Sequence, residues 1–310
     1  MQFKKQFLTD VITGLSKPIK QLSSKYFYDE KGDKLFQQIM QLDEYYLPQS
    51  ELEILKTRAA DMIEGFDYDH FDVVELGAGD GSKTVFFLEK LLALGKQPVY
   101  RPLDISPDVL ATNKTLMKTQ LPSLPVEPIA GDYFETLSEI DKSRPKIILF
   151  MGSNIGNYKG AEAKDFLEQV RQHIQPNDLL LVAFDLKKNP KVILNAYNDA
   201  QGVTRQFNLN LLERLNRELG ANFDLNSFEH YPTYQPLSGI TYSFIVSLKK
   251  QKVEIQGQEF NFENGEVIHT EVSQKYNLEQ IERLKEEAGF SGVRHFLDEK
   301  KYYSISVFKK

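Results

Sequence analysis

The sequence predicts an α/β fold, in which a doubly wound parallel sheet is joined to a second, discontinuous α/β domain. From about residue 70, short buried apolar runs alternate with amphipathic stretches of helical length. Near residue 188 this alternation stops, and shorter β-like alternations with turn signals follow it. The first pattern is typical of a parallel sheet with helices on both faces.

The elements of the sheet domain are predicted in chain order. The predicted strands are FDVVELGAG, PVYRPLDIS, PVEPIAGDY, KIILFMGSNIGN and DLLLVAFDL, and the predicted helices are SKTVFFLEKLLALG, PDVLATNKTLMKTQL and AEAKDFLEQVRQHI. Pro107 supports the second helix, because proline fits the first turn of a helix. The chain ends as helix, strand, strand, and the final run YYSISVF is expected to close the sheet as an antiparallel hairpin.

The second domain is predicted from the segments that break this rhythm. Residues 1–57 are predicted to form helices and loops, and NPKVILNAYNDAQGVTRQFNLNLLERLNRELG is predicted to be helical. Strand patterns follow in GITYSFIVSLKK, KVEIQG and EFNFENGEVIHTEVSQKY. We therefore expect a sheet domain of residues 58–188 and 277–310 and a second domain of residues 1–57 and 189–276.

The composition argues against several functional classes. The net charge is −6, from 44 acidic and 38 basic side chains without a dense basic block, which disfavours a nucleic-acid partner. Cysteine is absent and the five histidines are scattered, so neither a disulfide framework nor a metal site is expected. The sequence has no apolar run of membrane-spanning or secretory length, so we expect a cytoplasmic protein without a membrane partner.

A glycine-rich loop, GAGDGSKT, follows the first predicted strand. Gly77, Gly79 and Gly81 lie where a strand becomes a helix, at the sheet edge that binds ligands in such folds. Bare glycine lets the backbone approach a ligand, and the helix start offers unpaired N–H groups. The frame of a phosphate loop is absent, and Ser82 stands where a dinucleotide fingerprint requires its third glycine.

Acidic residues near the loop favour a cationic ligand, and S-adenosylmethionine carries a sulfonium and no phosphate. Glu75 and Asp80 would place negative charge close to a pyrophosphate. Asp104 ends the next strand, where an acid can bind ribose hydroxyls. Asp132 ends the third strand and could accept from the adenine amino group, with Tyr133 beside the ring. The alternative role of each acid is helix capping or loop solvation.

Five segments together resemble the histidine-specific Nα-methyltransferase family: YFYDEKGDKLFQQIMQLDEYYLPQSELEIL, ELGAGDGSKT, LFMGSNIGN, residues 185–224 and HTEVSQKY. The resemblance covers nearly the whole chain in order and with similar spacing. It implies a class I Rossmann-like methyltransferase sheet with a second α/β domain, the substrate lying between them. It also implies S-adenosylmethionine as cofactor and L-histidine as substrate, converted to N,N,N-trimethylhistidine (hercynine) for ergothioneine biosynthesis.

The resemblance implies a role for each matching residue. Asn157 would bind the substrate α-amino and carboxylate groups and, with Tyr28, orient the amine as the catalytic pair. The other substrate-binding positions are Tyr45 and Tyr197 at the carboxylate, Phe36 on the amino side, Gly152 where the amine approaches the donor, Glu271 and Ser273 at the imidazole, and Thr204 and Tyr242. The methyl-donor site would comprise Gly77, Gly79, Lys83, Asp104, Asp132 and Tyr133.

Tyr242 departs from the family pattern, because histidine-specific members place a methionine there against the imidazole. Relatives in the family methylate the α-amine of prenylated tryptophan, so a different amino acid or derivative stays open as the substrate. Glu271 and Ser273 favour a proton-bearing ring, since an apolar ring would leave Glu271 buried and unpaired. A non-catalytic S-adenosylmethionine-binding protein is the remaining alternative. A monomer acting on a small-molecule amino acid is expected.

Overall fold

The computed structural model describes residues 2–310. In that range the α-helices are α1 Gln2–Leu15, α2 Glu30–Ile39, α3 Leu47–Met62, α4 Thr84–Ala93, α5 Pro107–Gln120, α6 Tyr133–Glu139, α7 Ala161–His173, α8 Pro190–Ala196, α9 Val203–Leu219 and α10 Leu278–Glu287. The strands are β1 Lys20–Gln21, β2 His70–Leu76, β3 Gln97–Asp104, β4 Ile129–Ala130, β5 Lys146–Phe150, β6 Leu179–Asp185, β7 Phe228–Gln235, β8 Ile240–Ser247, β9 Gln251–Ile255, β10 Gln258–Phe262, β11 Val267–Gln274, β12 Gly292–Leu297 and β13 Tyr303–Lys309. None of these described helices is both long and apolar enough to span a membrane.

The chain divides into two compact units. The sheet unit comprises Leu47–Lys187 and Gln274–Lys310, and the accessory unit comprises the described residues up to Tyr46 and Lys188–Ser273. The boundary expected between residues 57 and 58 falls inside α3, which is one continuous helix of the sheet unit. Glu51 of this helix accepts a hydrogen bond from the Tyr303 hydroxyl (2.5 Å), which ties α3 to β13.

The sheet unit holds a seven-stranded sheet in the order β12-β13-β6-β5-β2-β3-β4. The five strands from β6 to β4 are parallel, whereas β13 pairs antiparallel with both β6 and β12. The predicted α/β sheet and its closing antiparallel hairpin are therefore confirmed. Strands β5 and β6 are buried along their whole length, as expected of parallel strands covered by helices on both faces.

The prediction of a strand over PVEPIAGDY is mostly wrong. Only β4, two residues long, and an isolated bridge between Tyr100 and Val126 form there. Pro125 and Pro128 have no N–H group to donate to a ladder, so the pairing with β3 is interrupted. Asp132 then starts helix α6, which the sequence analysis did not predict.

The accessory unit is built around helix α9 and a four-stranded sheet in the order β1-β11-β8-β7, with a β9–β10 hairpin beside it. Its core contains apolar residues of α1, α9 and the strands, including Phe7, Leu211, Phe228 and Phe262. The helix predicted over residues 189–220 is two helices, α8 and α9. The Asp199 carboxylate accepts from backbone N–H groups at the start of α9, which fixes the break.

Within the sheet unit, the two chain segments that lead to the accessory unit are held together. Lys275 and Asp185 form an ion pair of 2.7 Å, and both side chains are fully buried. Next to it, the Lys187 N–H donates to the Tyr276 carbonyl at 2.7 Å. Because an unpaired buried charge is costly, this ion pair holds the end of β6 beside the chain that follows β11.

Candidate active site

The glycine loop lies at the topological switch point of the sheet. Strand β2 has β3 on one side and β5 on the other, so a crevice opens at its carboxyl end. Gly77, Gly79 and Gly81 have φ values of 70°, 55° and 75°, which side-chain-bearing residues rarely adopt. The N–H groups of Gly77 and Ala78 both donate to the Leu103 carbonyl, which holds the start of the loop against β3.

Tyr133, Asn154 and Gly152 lie close around Gly77. A Cβ atom on Gly77 would lie 2.6 Å from the Tyr133 hydroxyl oxygen and 3.7 Å from the Asn154 amide nitrogen. A Cβ atom on Gly152 would lie 3.5 Å from the same amide nitrogen. The structure thus brings three of the residues singled out from the sequence together with Asn154, which the sequence analysis did not select. Burial and the nearby Asp104 carboxylate raise the pKa of Tyr133, so its hydroxyl stays protonated.

Asp104 and Asp132 both bond to nearby backbone. Asp104 ends β3, where Oδ2 accepts from the Gly79 N–H at 3.1 Å and Oδ1 from the Ser106 N–H at 3.0 Å. Each carboxylate oxygen has capacity for a further hydrogen bond, so these contacts leave room for a ribose hydroxyl. Asp132 caps α6 by accepting from the Phe134 N–H at 2.9 Å. This contact is helix capping, which the sequence analysis gave as the alternative to adenine binding by Asp132.

The Glu75 side chain is buried below the glycine loop. The prediction that its negative charge acts on the bound ligand is therefore wrong. Glu75 is 2 % exposed, and its two oxygens accept from the Thr84 hydroxyl at 2.6 Å and the Tyr100 hydroxyl at 2.5 Å. Burial raises its pKa to about 7, against an ordinary value of 4.5. Glu75 therefore ties β2 to β3 and to the start of α4.

Lys83 is paired with a buried acid that the sequence analysis missed. Its ammonium group forms an ion pair with Glu51 of α3, whose side chain is 0 % exposed. The second Glu51 oxygen accepts from the Gly152 N–H at 2.6 Å. The sequence shows Glu51 only as one of several acids in a helix, and its partners lie 32 and 101 residues away.

In the accessory unit, four rings form an aromatic cluster: Tyr28, Phe36, Tyr45 and Phe207. The Tyr28 ring meets Phe36 and Phe207 edge-on, with centroids 5.6 and 5.8 Å apart, and Phe36 meets Tyr45 at 6.4 Å. Tyr28 is 47 % exposed, yet its pKa is raised by burial of its phenol and by the Glu271 and Asp33 charges. Phe207, which faces three rings, was not selected from the sequence.

Glu271 and Tyr242 lie on the accessory sheet. Exposure alternates along β8 and over most of β11, and Glu271 and His269 point to the same face because they are two residues apart. The Tyr242 ring lies 5.6 Å from His269 and stacks on Phe244 at 5.8 Å. This face therefore combines a carboxylate with aromatic surface, and Ser273 follows Glu271 on the same side.

The remaining substrate candidates are spread over both units. Tyr197 directly follows α8, and its carbonyl accepts from His230 Nε2 at 3.0 Å. Thr204 lies in the first turn of α9, where its N–H donates to Asp199 at 2.8 Å. Asn157 is the exposed last residue of a 3-10 turn in the sheet unit. Helix α7 starts after Gly160, so Asn157 does not cap that helix.

Comparison with known proteins decides the family. The model of a family described as histidine-specific methyltransferase, SAM-dependent, where SAM is S-adenosylmethionine, matches residues 7–310. The chain belongs to this family. It is 33 % identical over 303 residues to the histidine N-alpha-methyltransferase of Mycobacterium tuberculosis, covering 97 % of this chain and 94 % of that protein. It is 34 % identical over 300 residues to the enzyme of the same name from Mycolicibacterium smegmatis, covering 96 % and 93 %.

A solved structure agrees on the fold of this methyltransferase. The mitomycin 7-O-methyltransferase MmcR aligns over 99 % of this chain and 67 % of its own, with a TM-score of 0.50 and 15 % identity. At that identity the likeness concerns the fold alone. The predicted family, the Rossmann-like fold and the S-adenosylmethionine cofactor are confirmed, and the chain is an S-adenosylmethionine-dependent methyltransferase.

Proposed function

We propose that this methyltransferase acts on the α-amino group of L-histidine and converts it to N,N,N-trimethylhistidine. The observation that carries the proposal is the match of residues 7–310 to the model of a family described as histidine-specific. Glu271 supports it, because a carboxylate suited to an imidazole N–H lies on β11 of the accessory unit, the unit that also holds Tyr28.

The carboxyl edge of β2 and β3 fits the methyl donor. The glycine loop leaves a cradle that a Cβ on Gly77 would fill, and Asp104 stands beside it with capacity for ribose hydroxyls. S-adenosylmethionine supplies an activated methyl group on a sulfonium. Lys83, Asp132 and Tyr133 are proposed to bind the rest of the donor.

Orientation of the acceptor amine is the main task proposed for the protein. Because the donor is already activated, proximity and alignment supply most of the acceleration. Tyr28 has a raised pKa, so at neutral pH it is a neutral hydrogen-bond partner of the amine rather than an anionic base. Asn157 is proposed to hold the amino and carboxylate groups, while the amine proton leaves to water. Tyr45 and Tyr197 are proposed to bind the carboxylate.

A second candidate substrate is an aromatic amino acid such as a tryptophan derivative. Tyr242 favours it, because this ring stacks on Phe244 and contacts His269 on the face that carries Glu271. A larger flat side chain would find aromatic surface there. The Glu271 carboxylate on this face argues for histidine, because it can accept a hydrogen bond from an imidazole N–H.

The site of methylation tests the proposal. We expect the purified protein, given methyl-labelled S-adenosylmethionine and L-histidine, to place label on the α-nitrogen, as read by NMR of the product. N-acetylhistidine, whose α-amine is blocked, should stay unlabelled. Label on the imidazole ring, or on N-acetylhistidine, would contradict the proposal. The expectations of a monomer and of a cytoplasmic location accompany it and rest on the sequence alone.

A further inference from the structure

Glu51 connects three separate parts of the sheet unit through one buried carboxylate. One oxygen pairs with the Lys83 ammonium group after the glycine loop. The other accepts from the Gly152 N–H after β5 (2.6 Å) and from the Tyr303 hydroxyl on β13 (2.5 Å). Two of these partners, Lys83 and Gly152, belong to positions assigned above to the methyl donor and to the approach of the amine.

We propose that Glu51 is a positioning residue for methyl transfer, which sets the places of the Lys83 ammonium group and of the Gly152 turn. The proposal rests on the S-adenosylmethionine dependence of the family and on the donor-site role proposed for Lys83. It does not depend on which amino acid is methylated. Glu51 acts through Lys83 and Gly152, and no contact of its own with substrate is required.

In the ion pair between Glu51 and Lys83, the carboxylate is buried and the ammonium group is partly exposed. The Glu51 side chain is 0 % exposed, whereas that of Lys83 is 28 % exposed. A buried carboxylate requires donors, so Glu51 holds Lys83 strongly in one orientation. An ammonium group has three N–H donors, and the bond to Glu51 uses one of them. The remaining donors of Lys83 are available for an anionic group such as the carboxylate of the methyl donor.

The turn after β5 needs outside support. Gly152 and Ser153 have φ values of 72° and 57°, and for Ser153 this conformation is uncommon. Two hydrogen bonds tie the turn to other elements: the Gly152 N–H donates to Glu51 of α3, and the Asp185 N–H donates to the Ser153 hydroxyl at 2.9 Å. Glu51 therefore stabilises the turn that contains Gly152. A Cβ atom on Gly152 would lie 3.5 Å from the Asn154 amide nitrogen.

The test uses Glu51→Gln, which keeps the shape of the side chain. Glutamine offers one acceptor oxygen instead of two, and its NH2 group would face the Lys83 ammonium group. We expect the Kd for S-adenosylhomocysteine, measured by calorimetry without acceptor, to rise about tenfold or more, as for loss of a charge-assisted hydrogen bond. The KM for S-adenosylmethionine should rise with it, while the KM for the acceptor stays unchanged. Glu53→Gln neutralises a half-buried carboxylate on the same helix, which accepts from the Glu299 N–H at 2.7 Å, and should leave both unchanged.

A double-mutant cycle shows whether Glu51 acts through Lys83. We expect Lys83→Met to weaken S-adenosylhomocysteine binding, and Glu51→Gln to add little in the Lys83→Met background. Fully additive losses, or a folded Glu51→Gln protein that binds within about twofold of wild type, would overturn the proposal.

Tyr303→Phe tests the proposal if the Glu51 variants do not fold. This substitution leaves the Glu51 carboxylate in place but removes one of the hydrogen bonds that orient it. Its Kd should rise about threefold, and an unchanged Kd overturns the proposal. Because no acceptor is present, these outcomes are separate from a failure of histidine methylation.

Discussion

The hydroxyl oxygen of Tyr133 lies 2.6 Å from the point that a Cβ atom on Gly77 would occupy. Gly77 also has a φ of 70°, so both its conformation and its neighbour demand glycine. The start of helix α6 therefore packs closely against the glycine loop after β2. This contact distinguishes Gly77 from Gly79, which has nothing within 4 Å of its Cβ position.

Gly77→Ala should weaken S-adenosylhomocysteine binding by about tenfold or more, because the left-handed conformation costs an alanine about 1–2 kcal/mol and Tyr133 must move. Calorimetry measures the Kd. Adding Tyr133→Phe removes the clashing oxygen and should restore part of the affinity. In the matched Gly79→Ala background, Tyr133→Phe should restore nothing. Equal effects of Tyr133→Phe in the two backgrounds would show that the contact does not limit the loop.

Glu271→Ala should raise the KM for histidine by about tenfold to a hundredfold, the loss expected for a hydrogen bond to a charged group. The selectivity for histidine over other amino acids should fall as well. Steady-state kinetics measures both. Glu263→Gln, an exposed acid that pairs with Lys250, is the control and should leave the KM unchanged. Unaltered histidine kinetics in Glu271→Ala would remove the imidazole role.

Asn157→Ala should lower kcat/KM by a similar large factor for every amino acid that the protein accepts, because Asn157 is proposed to hold the backbone groups that they share. The Kd for S-adenosylhomocysteine should stay unchanged and serves as the internal control for folding. A loss confined to histidine would place Asn157 at the side chain instead.

Tyr242→Ala should lower the ratio of kcat/KM for tryptophan to that for histidine, since it removes the aromatic surface beside Phe244 and His269 on which a larger flat side chain would stack. Competition assays with both amino acids give this ratio directly. Tyr231→Ala is the control, because Tyr231 is 59 % exposed on the neighbouring strand β7 and should leave the ratio unchanged. A ratio that rises in Tyr242→Ala would mean that the ring excludes tryptophan by its size.

The free energy of unfolding should depend on pH through Glu75. Its pKa is raised to about 7 in the folded protein from an ordinary value of 4.5, so the folded state keeps a proton that the unfolded chain releases. The contribution is complete below about pH 4.5 and is lost as the pH rises to about 7, on the order of 3 kcal/mol in total. Denaturant unfolding of wild type and Glu75→Gln across this range should show the wild type losing stability relative to the variant.

The control for this pH dependence is Glu89→Gln, an exposed acid on α4. Its difference from wild type should stay flat over the same range. A flat difference for Glu75→Gln as well, or one of opposite sign, would mean that folding does not raise the pKa of the Glu75 carboxyl.

The sheet was predictable because buried parallel strands leave a strong trace in a sequence. Strands β5 and β6 are nearly continuous apolar runs separated by a helical pattern, and Gly77 follows the buried strand β2. The family and its cofactor were predictable from segments spread over the whole chain. The break between α8 and α9 was not, since it depends on the capping by Asp199 rather than on hydrophobic period.

The side-chain contacts of the site were less predictable. Period-two alternation cannot tell which way Glu75 points when both faces of β2 are buried, and its partners Thr84 and Tyr100 belong to other elements. Glu51 shows the same limit, because its contact with Tyr303 joins residues 252 positions apart. Such contacts exist only once the sheet has assembled.

Methylation of free amino acids in competition tests the central claim most directly. The protein is incubated with S-adenosylmethionine and an equimolar mixture of the proteinogenic amino acids, and the products are read by mass spectrometry. We predict that histidine gains the mass of three methyl groups while the other amino acids stay unmodified. Preferential methylation of another amino acid, or no methylation by a protein that binds S-adenosylhomocysteine, would contradict the assignment to histidine.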